Sequence, residues 1–213
     1  MTSDIILFHS PQTRSTGARL LVEELGADVE IRLVNMKAGE QRSPTFLAVN
    51  PMGKVPALLH GDVLVTEQVA VLLYLADLFP KAGLAPKLDD VRRGPYLRWM
   101  VFYTACFEPA VVDRAMKREP GPAAMSPYGN FDAVLHTLTD QLEKGPYLLG
   151  EMFSAADILW GMALSWTTGF GVVPTTPVIQ GYIDRVMSRP AAVKVTVDDK
   201  KLVAGHEAAV GKA

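Results

Sequence analysis

Up to about residue 80, short apolar runs alternate with polar turns; beyond it the apolar positions fall at helical spacing. Asp4-Ile5-Ile6-Leu7-Phe8 is an apolar run closed by the polar turn His9-Ser10-Pro11-Gln12-Thr13, the pattern of a buried strand. From Arg14 to Leu25, Ala18, Leu21, Val22 and Leu25 fall at i, i+3, i+4 and i+7. That is one face of a helix, and Gly26 is placed to stop it. Val29 to Val34 alternates as a strand does. Strand, helix and strand together predict a βαβ unit with a right-handed crossover. Residues 41–49 predict a short irregular helix. Val55 to Leu59 and Val63 to Val65 predict two strands joined by the hairpin turn His60-Gly61-Asp62. Thr66 offers a capping hydroxyl for a helix to Phe79, with Val69, Leu72, Leu75, Ala76 and Phe79 on one face. Pro80 to Pro86 reads as a linker.

The rest predicts helices alone. A long helix is expected from Asp89 to Lys117, kinked at Pro109 because proline cannot donate to the ladder. Ser126-Pro127 is expected to open a helix that ends at Gly145-Pro146. Ser154-Ala-Ala-Asp157 has capping-box spacing. Ile158 to Trp166 is apolar all round, which marks a buried central helix. Pro177 to Ser188 is a further helix, and the tail from Asp198, small and charged, is expected to fray. No internal repeat is present. The expected architecture is an α/β domain over 1–79 with a four-stranded mixed sheet, a linker over 80–88 and an all-helical bundle over 89–213.

Composition narrows the function classes. With 49% hydrophobic residues in 213, the chain can bury a sizeable core in one large or two small domains. A net charge of -2, scattered without blocks, argues against nucleic acid as partner. No apolar run reaches the roughly 18 residues that a membrane span needs, and Met1 to Asp4 does not open a signal peptide. Cys106 is the single cysteine, which removes any intrachain disulfide and any CxxC pair and fits a reducing, cytoplasmic setting. His9, His60, His136 and His206 lack metal-ligand spacing, so no metal is expected.

Three features carry chemistry. The loop Ser10 to Ser15 lies between a strand and a helix N-terminus, where free N–H groups and the helix dipole favour an anion. A hydroxyl or guanidinium there could hydrogen-bond a thiolate and lower its pKa; the same residues equally suit an ordinary cap. In Asn50-Pro51-Met52-Gly53-Lys54-Val55-Pro56-Ala57-Leu58, Pro56 removes a ladder donor at the start of a strand. A cis Val55-Pro56 bond would turn the Val55 N–H and carbonyl outward to pair with an extended peptide; an edge-strand proline is the alternative. Thr66-Glu67-Gln68 opens the next helix, where unpaired N–H groups suit a carboxylate and Glu67 an amine. A first-turn acid that only stabilises the dipole is the alternative.

Ile5 to Phe79 resembles the thioredoxin-like domain of cytosolic glutathione transferases. The resemblance rests on Phe8-His9-Ser10-Pro11, on Phe46 to Leu58, on Thr66-Glu67-Gln68 and on Tyr74-Leu75, with Ser154 to Asp157 resembling the family's buried capping motif. It implies a cis Pro56, pairing of Val55 with the cysteinyl backbone of glutathione, and capture of the γ-glutamyl group by Glu67 and Gln68. Position 68 is Gln where Ser or Thr is frequent in the family; its amide can still donate. The position of the family's catalytic cysteine falls on Arg14, and that of its tyrosine on His9, so mixed-disulfide chemistry is disfavoured. Ser15 is then the first candidate to activate the thiol, followed by Thr13, with Arg14 as electrostatic helper and Ser10 as the alternative. Lys37, Arg42 and Lys54 are candidates for the glycyl carboxylate. Tyr103, Phe107 and Trp166 could wall an apolar electrophile site between the domains, or belong to the core. Cys106 reads as a small buried hydrophobe, and Glu108 as a surface or capping acid. The resemblance implies glutathione as cosubstrate, attack on an apolar electrophile or peroxide, and a homodimer. The rival function is a glutathione-binding carrier or stress-related protein with little catalysis.

Overall fold

The computed structural model describes residues 4–119, 121–122 and 124–210. The Met1 to Ser3 part of the N-terminal segment and residues 211–213 of the tail lie outside them. The chain divides into two compact units, Met1–Ala82 with Arg189–Ala213, and Gly83–Ser188. The expected boundary is thus corrected at both ends. Leu84 is buried and its carbonyl accepts the Ala155 N–H at 2.8 Å, so the second half of the expected linker belongs to the helical unit. The last helix belongs to the first unit.

That first unit is built on a four-stranded sheet of order β2-β1-β3-β4. Strand β1 (Ile5–His9) runs parallel to β2 (Glu30–Leu33) and antiparallel to β3 (Ala57–His60), which pairs antiparallel with β4 (Val63–Thr66). Helix α1 (Ser15–Leu25) makes the crossover and ends at Gly26, whose φ of 59° suits glycine. The irregular segment is a 3₁₀ turn, Glu40–Arg42, followed by α2 (Pro44–Val49), capped by Ser43. Helix α3 spans Gln68–Leu78, one residue later than the Thr66 cap implies. Thr66 is held in β4 opposite Ala57, so Glu67 takes the cap position, with φ 67° and no side-chain cap bond.

The final helix, α9 (Pro190–Val210), corrects the expectation of a fraying tail. Ala192, Val195 and Asp199, at i, i+3 and i+7, are all buried. Ion pairs reinforce that face: Arg189 Nε and Nη2 donate to Glu24 at 2.7 and 2.8 Å, and Lys194 pairs with Glu23 at 2.5 Å. Small, charged residues here form a helix because their partners lie on α1, about 170 positions away.

In the second unit, the expected single long helix is two, α4 (Arg93–Phe102) and α5 (Glu108–Ala115), joined by a π-helical turn over Tyr103–Phe107. Pro109 has no N–H for the carbonyl four residues back, and the Glu108 N–H reaches instead to Tyr103, five residues back. Helix α6 (Phe131–Leu142) starts at Asn130, whose side chain accepts the Ala133 N–H at 2.8 Å; Ser126-Pro127 lies in the preceding turn and does not open it. Helix α7 (Ala155–Gly169) carries the expected capping box, and its first ten residues, Ala155 to Leu164, are all buried. Helix α8 (Pro177–Met187) completes the unit.

Candidate functional site

Strand register brings the three sequence features to one end of the sheet. Phe8 pairs with Ala57, and Ala57 with Thr66. One position beyond that row, β1 continues into His9 and Ser10, β3 is entered from Val55-Pro56, and β4 leaves into Glu67. Neighbouring strands lie about 4.8 Å apart, so the loop, the proline turn and the α3 N-terminus stand side by side within one unit.

Val55-Pro56 is cis. The Val55 N–H and carbonyl have no hydrogen-bond partner among the described residues. Asn50 holds the turn before them: its Nδ2 donates to the Lys54 carbonyl at 2.8 Å, its Oδ1 accepts the Met52 N–H at 3.1 Å, and its carbonyl accepts the Gly53 N–H at 2.8 Å. Gly53 has φ 60°, and a Cβ there would lie 2.7 Å from the Gln41 carbonyl oxygen. The turn therefore closes only with glycine.

At the start of α3, Glu67 is exposed and no side chain caps the first N–H groups. Gln68 faces α1 so closely that a Cβ on Gly17 would come to 3.3 Å from its Nε2, and its Oε1 is buried without a partner among the described residues.

The loop after β1 corrects the ranking of thiol-activating candidates. Ser15 is fully buried. Its Oγ accepts the Ser10 N–H at 3.0 Å, lies 3.0 Å from the Ser10 carbonyl oxygen, 2.9 Å from His9 Nδ1 and 2.7 Å from Thr13 Oγ1. One hydroxyl has one proton and two lone pairs, so Ser15 has nothing left for a ligand. It braces the loop from within. Thr13 is half-buried; its Oγ1 donates to the Ser10 carbonyl at 2.8 Å and accepts the Ser15 N–H at 3.2 Å. Ser10 is held by its backbone, while its hydroxyl has no hydrogen-bond partner among the described residues. Arg14 is exposed at the first position before α1.

His9 and Asp199 complete the loop's support. His9 Nε2 donates to Asp199 Oδ1 at 3.0 Å. The same carboxylate accepts from Gln12 N at 3.3 Å, Thr16 Oγ1 at 2.7 Å and Arg19 Nη1 at 2.8 Å. Burial pushes the Asp199 carboxyl up, but the hydrogen bonds from His9, Thr16 and the Gln12 N–H outweigh it and hold the group below the usual carboxylate range. Sequence reasoning missed Asp199. The signal was the spacing Ala192, Val195, Asp199, which continues an apolar stripe into an acid.

Of the basic candidates, Arg42 and Lys54 flank the turn before Val55; both are exposed, and Arg42 Nη1 reaches the Met52 carbonyl at 3.5 Å. Lys37 is instead ion-paired with Glu207 of α9. The aromatic candidates are also corrected. Tyr103 and Phe107 are 6% and 2% exposed and pack on Trp160 with ring centroids 5.6 and 4.8 Å away, so they are core of the helical unit. Trp166 stays half-buried on α7. Cys106 is half-buried on the π turn, and burial pushes its thiol up, away from a reactive thiolate. Among the described residues no group of histidine, cysteine and acid side chains could hold a metal, and no helix is long and apolar enough to cross a membrane.

The family description "Glutathione S-transferase, N-terminal domain" matches residues 3–77, and "Glutathione S-transferase, C-terminal domain" matches residues 104–190. The chain is 28% identical over 201 residues to the disulfide-bond oxidoreductase YfcG of Escherichia coli (strain K12), covering 88% of this chain and 92% of that protein. A crystal structure of a glutathione transferase from Methylococcus capsulatus str. Bath is similar with a TM-score of 0.78 at 29% identity, over 92% of this chain and 98% of that one. A sphingomonad glutathione S-transferase complexed with glutathione is similar with a TM-score of 0.76 at 30% identity, again over 92% and 98%.

Proposed function

The chain belongs to the glutathione S-transferase family of glutathione-transferring enzymes, and from that premise we propose that it binds reduced glutathione across the end of its sheet and delivers the thiolate to an apolar electrophile. The observation that carries this reading is the convergence of the open Val55 edge, the uncapped α3 N-terminus and the Ser10 loop at one row of strand ends. The γ-glutamyl carboxylate sits on the free α3 N–H groups, where the helix dipole favours an anion. Its ammonium meets Glu67 and the buried, unpartnered Gln68 Oε1. The cysteinyl backbone pairs with Val55 and Pro56 shapes that edge; Arg42 and Lys54 attract the glycyl carboxylate.

Extended this way, the cysteinyl sulfur meets the start of α1. There the Ser10 hydroxyl and the Arg14 guanidinium replace Ser15 as the groups that stabilise a thiolate, since the Thr13 proton goes to the Ser10 carbonyl. A free thiol titrates near 8.5; lowering it by about two units takes roughly 2.7 kcal/mol. Two charge-assisted hydrogen bonds at a helix N-terminus supply that much. The thiolate then forms a sulfur–carbon bond while the leaving group departs with its electron pair. Trp166 remains the one aromatic candidate for the electrophile side, and the working unit is a cytoplasmic homodimer.

Titration of the protein with reduced glutathione in a calorimeter tests the binding. A saturable heat with one site per chain is expected, together with turnover of an aryl halide that stops when glutathione is removed; no heat from folded protein overturns the reading. The likeness to YfcG favours a second activity, attack of the same thiolate on a disulfide, for which the protein needs no cysteine of its own. A disulfide substrate in the same assay separates the two. A bound thiol whose absorbance titrates like free glutathione makes the protein a carrier instead.

A further inference from the structure

Asp199 stands 190 residues from His9 in sequence, yet its two oxygens take four hydrogen bonds, one from His9 at the end of β1 and three from the loop and helix that follow it. We propose that Asp199 of the C-terminal helix is a positioning residue for the glutathione sulfur, setting the conformation of the Ser10 to Thr16 loop through His9, Gln12 and Thr16. This rests on the glutathione site described above.

The chain of consequences runs through proton counting. A carboxylate only accepts, so His9 Nε2 carries the proton toward Asp199. In the neutral ring Nδ1 is then an acceptor, and the Ser15 hydroxyl donates to it at 2.9 Å. With its proton so directed, Ser15 Oγ accepts the Ser10 N–H at 3.0 Å, while the Thr13 hydroxyl gives its proton to the Ser10 carbonyl at 2.8 Å. The Ser10 backbone is thereby pinned and its own hydroxyl is the one left over. In parallel, Asp199 Oδ2 holds the Gln12 N–H, at a residue with φ 55°, and the Thr16 hydroxyl, so both ends of the turn are tied to one group. Asparagine cannot replace it: an amide has one acceptor oxygen and two donors, and four donors face this position. Helix α9 does not depend on Asp199 for its attachment, since Arg189 to Glu24 and Lys194 to Glu23 hold it independently.

The test compares wild-type protein, Asp199→Asn and Lys194→Ala in three measurements: glutathione uptake by calorimetry, ultraviolet titration of the bound thiolate, and aryl-halide kinetics. Asp199→Asn is expected to raise the bound thiol pKa by about one unit, from about 6.5 to about 7.5, and so lower the thiolate fraction and kcat at pH 7 about threefold. The KM for glutathione should stay within about threefold, because the tripeptide body is held by other elements. Lys194→Ala should match wild type. Should Asp199→Asn be unable to fold, Thr16→Val removes one of the four donors and is expected to shift thiol pKa and kcat in the same directions, by about twofold or less in kcat. An unshifted thiol in Asp199→Asn, or in Thr16→Val where that variant stands in, overturns the inference, as does an equal loss in Lys194→Ala. Wild-type protein that takes up no glutathione sinks the functional reading and this inference with it; wild-type uptake and turnover with an indifferent Asp199→Asn sinks this inference alone.

Discussion

The Tyr182 hydroxyl donates to Asp157 Oδ1 at 2.9 Å inside the helical unit, tying α8 to the N-terminal turn of α7. Asp157 also accepts from Leu148 N at 2.9 Å, Ser154 N at 2.9 Å and Ser154 Oγ at 3.0 Å. Burial still pushes its carboxyl above the usual range, the four donors notwithstanding. Asp157→Ala strands all four donors in the core and is expected to cost about 3–5 kcal/mol, whereas Ser154→Ala costs about 1–2. Urea unfolding followed by tryptophan fluorescence checks both, since Trp99 and Trp160 lie in that core.

Gly161 sits where α7 meets α8, and a Cβ there would be 2.5 Å from Val186 Cγ1 and 2.8 Å from its Cβ. Gly161→Ala overpacks this contact and should lose about 1–3 kcal/mol despite alanine's better helix propensity. Combining it with Val186→Ala should recover part of the packing strain, so a double-mutant cycle in thermal denaturation should be non-additive.

Ser10 and Ser15 are expected to separate chemistry from stability. Ser10→Ala removes a hydroxyl that nothing in the fold uses, so it should leave unfolding within about 0.5 kcal/mol of wild type while raising the thiol pKa of bound glutathione. Ser15→Ala leaves the buried Ser10 N–H without its acceptor and should cost about 1–3 kcal/mol. Equal effects of the two on thiol absorbance and urea midpoint would contradict this division.

Asp199 gives stability a definite dependence on acid. Its carboxyl is held below its ordinary value in the folded protein, so over that window the unfolded chain binds more protons. The stabilisation is present at neutral pH and is lost as pH falls from about 4 through the folded value. Asp199→Asn should flatten that part of the curve, seen as a smaller difference between urea midpoints at pH 7 and pH 3. Asp157 acts in the opposite sense: its carboxyl is raised in the fold, so its contribution weakens as pH rises from about 4 through the folded value.

Wherever the decisive contacts were local, residue order alone determined the outcome. The face of α1, the Gly26 stop, the hairpin at Gly61 and the capping box at Ser154 depend on neighbours within a few positions, and each stands as its spacing implied; Val55-Pro56 is cis as the family resemblance implied, where spacing alone left an edge-strand proline open. Partnership across the chain decided the rest. Ser15 was a candidate hydroxyl until His9, Thr13 and Ser10 enclosed it; Lys37 was a candidate cation until Glu207 met it; Tyr103 and Phe107 were open between pocket wall and core, and packing on Trp160 makes them core. The tail from Asp198 lacked the apolar content to be a convincing helix on its own. It is one because burial and ion pairing against α1 offset the conformational entropy that ordering it costs, an energy that resides in contacts and not in any stretch of residues.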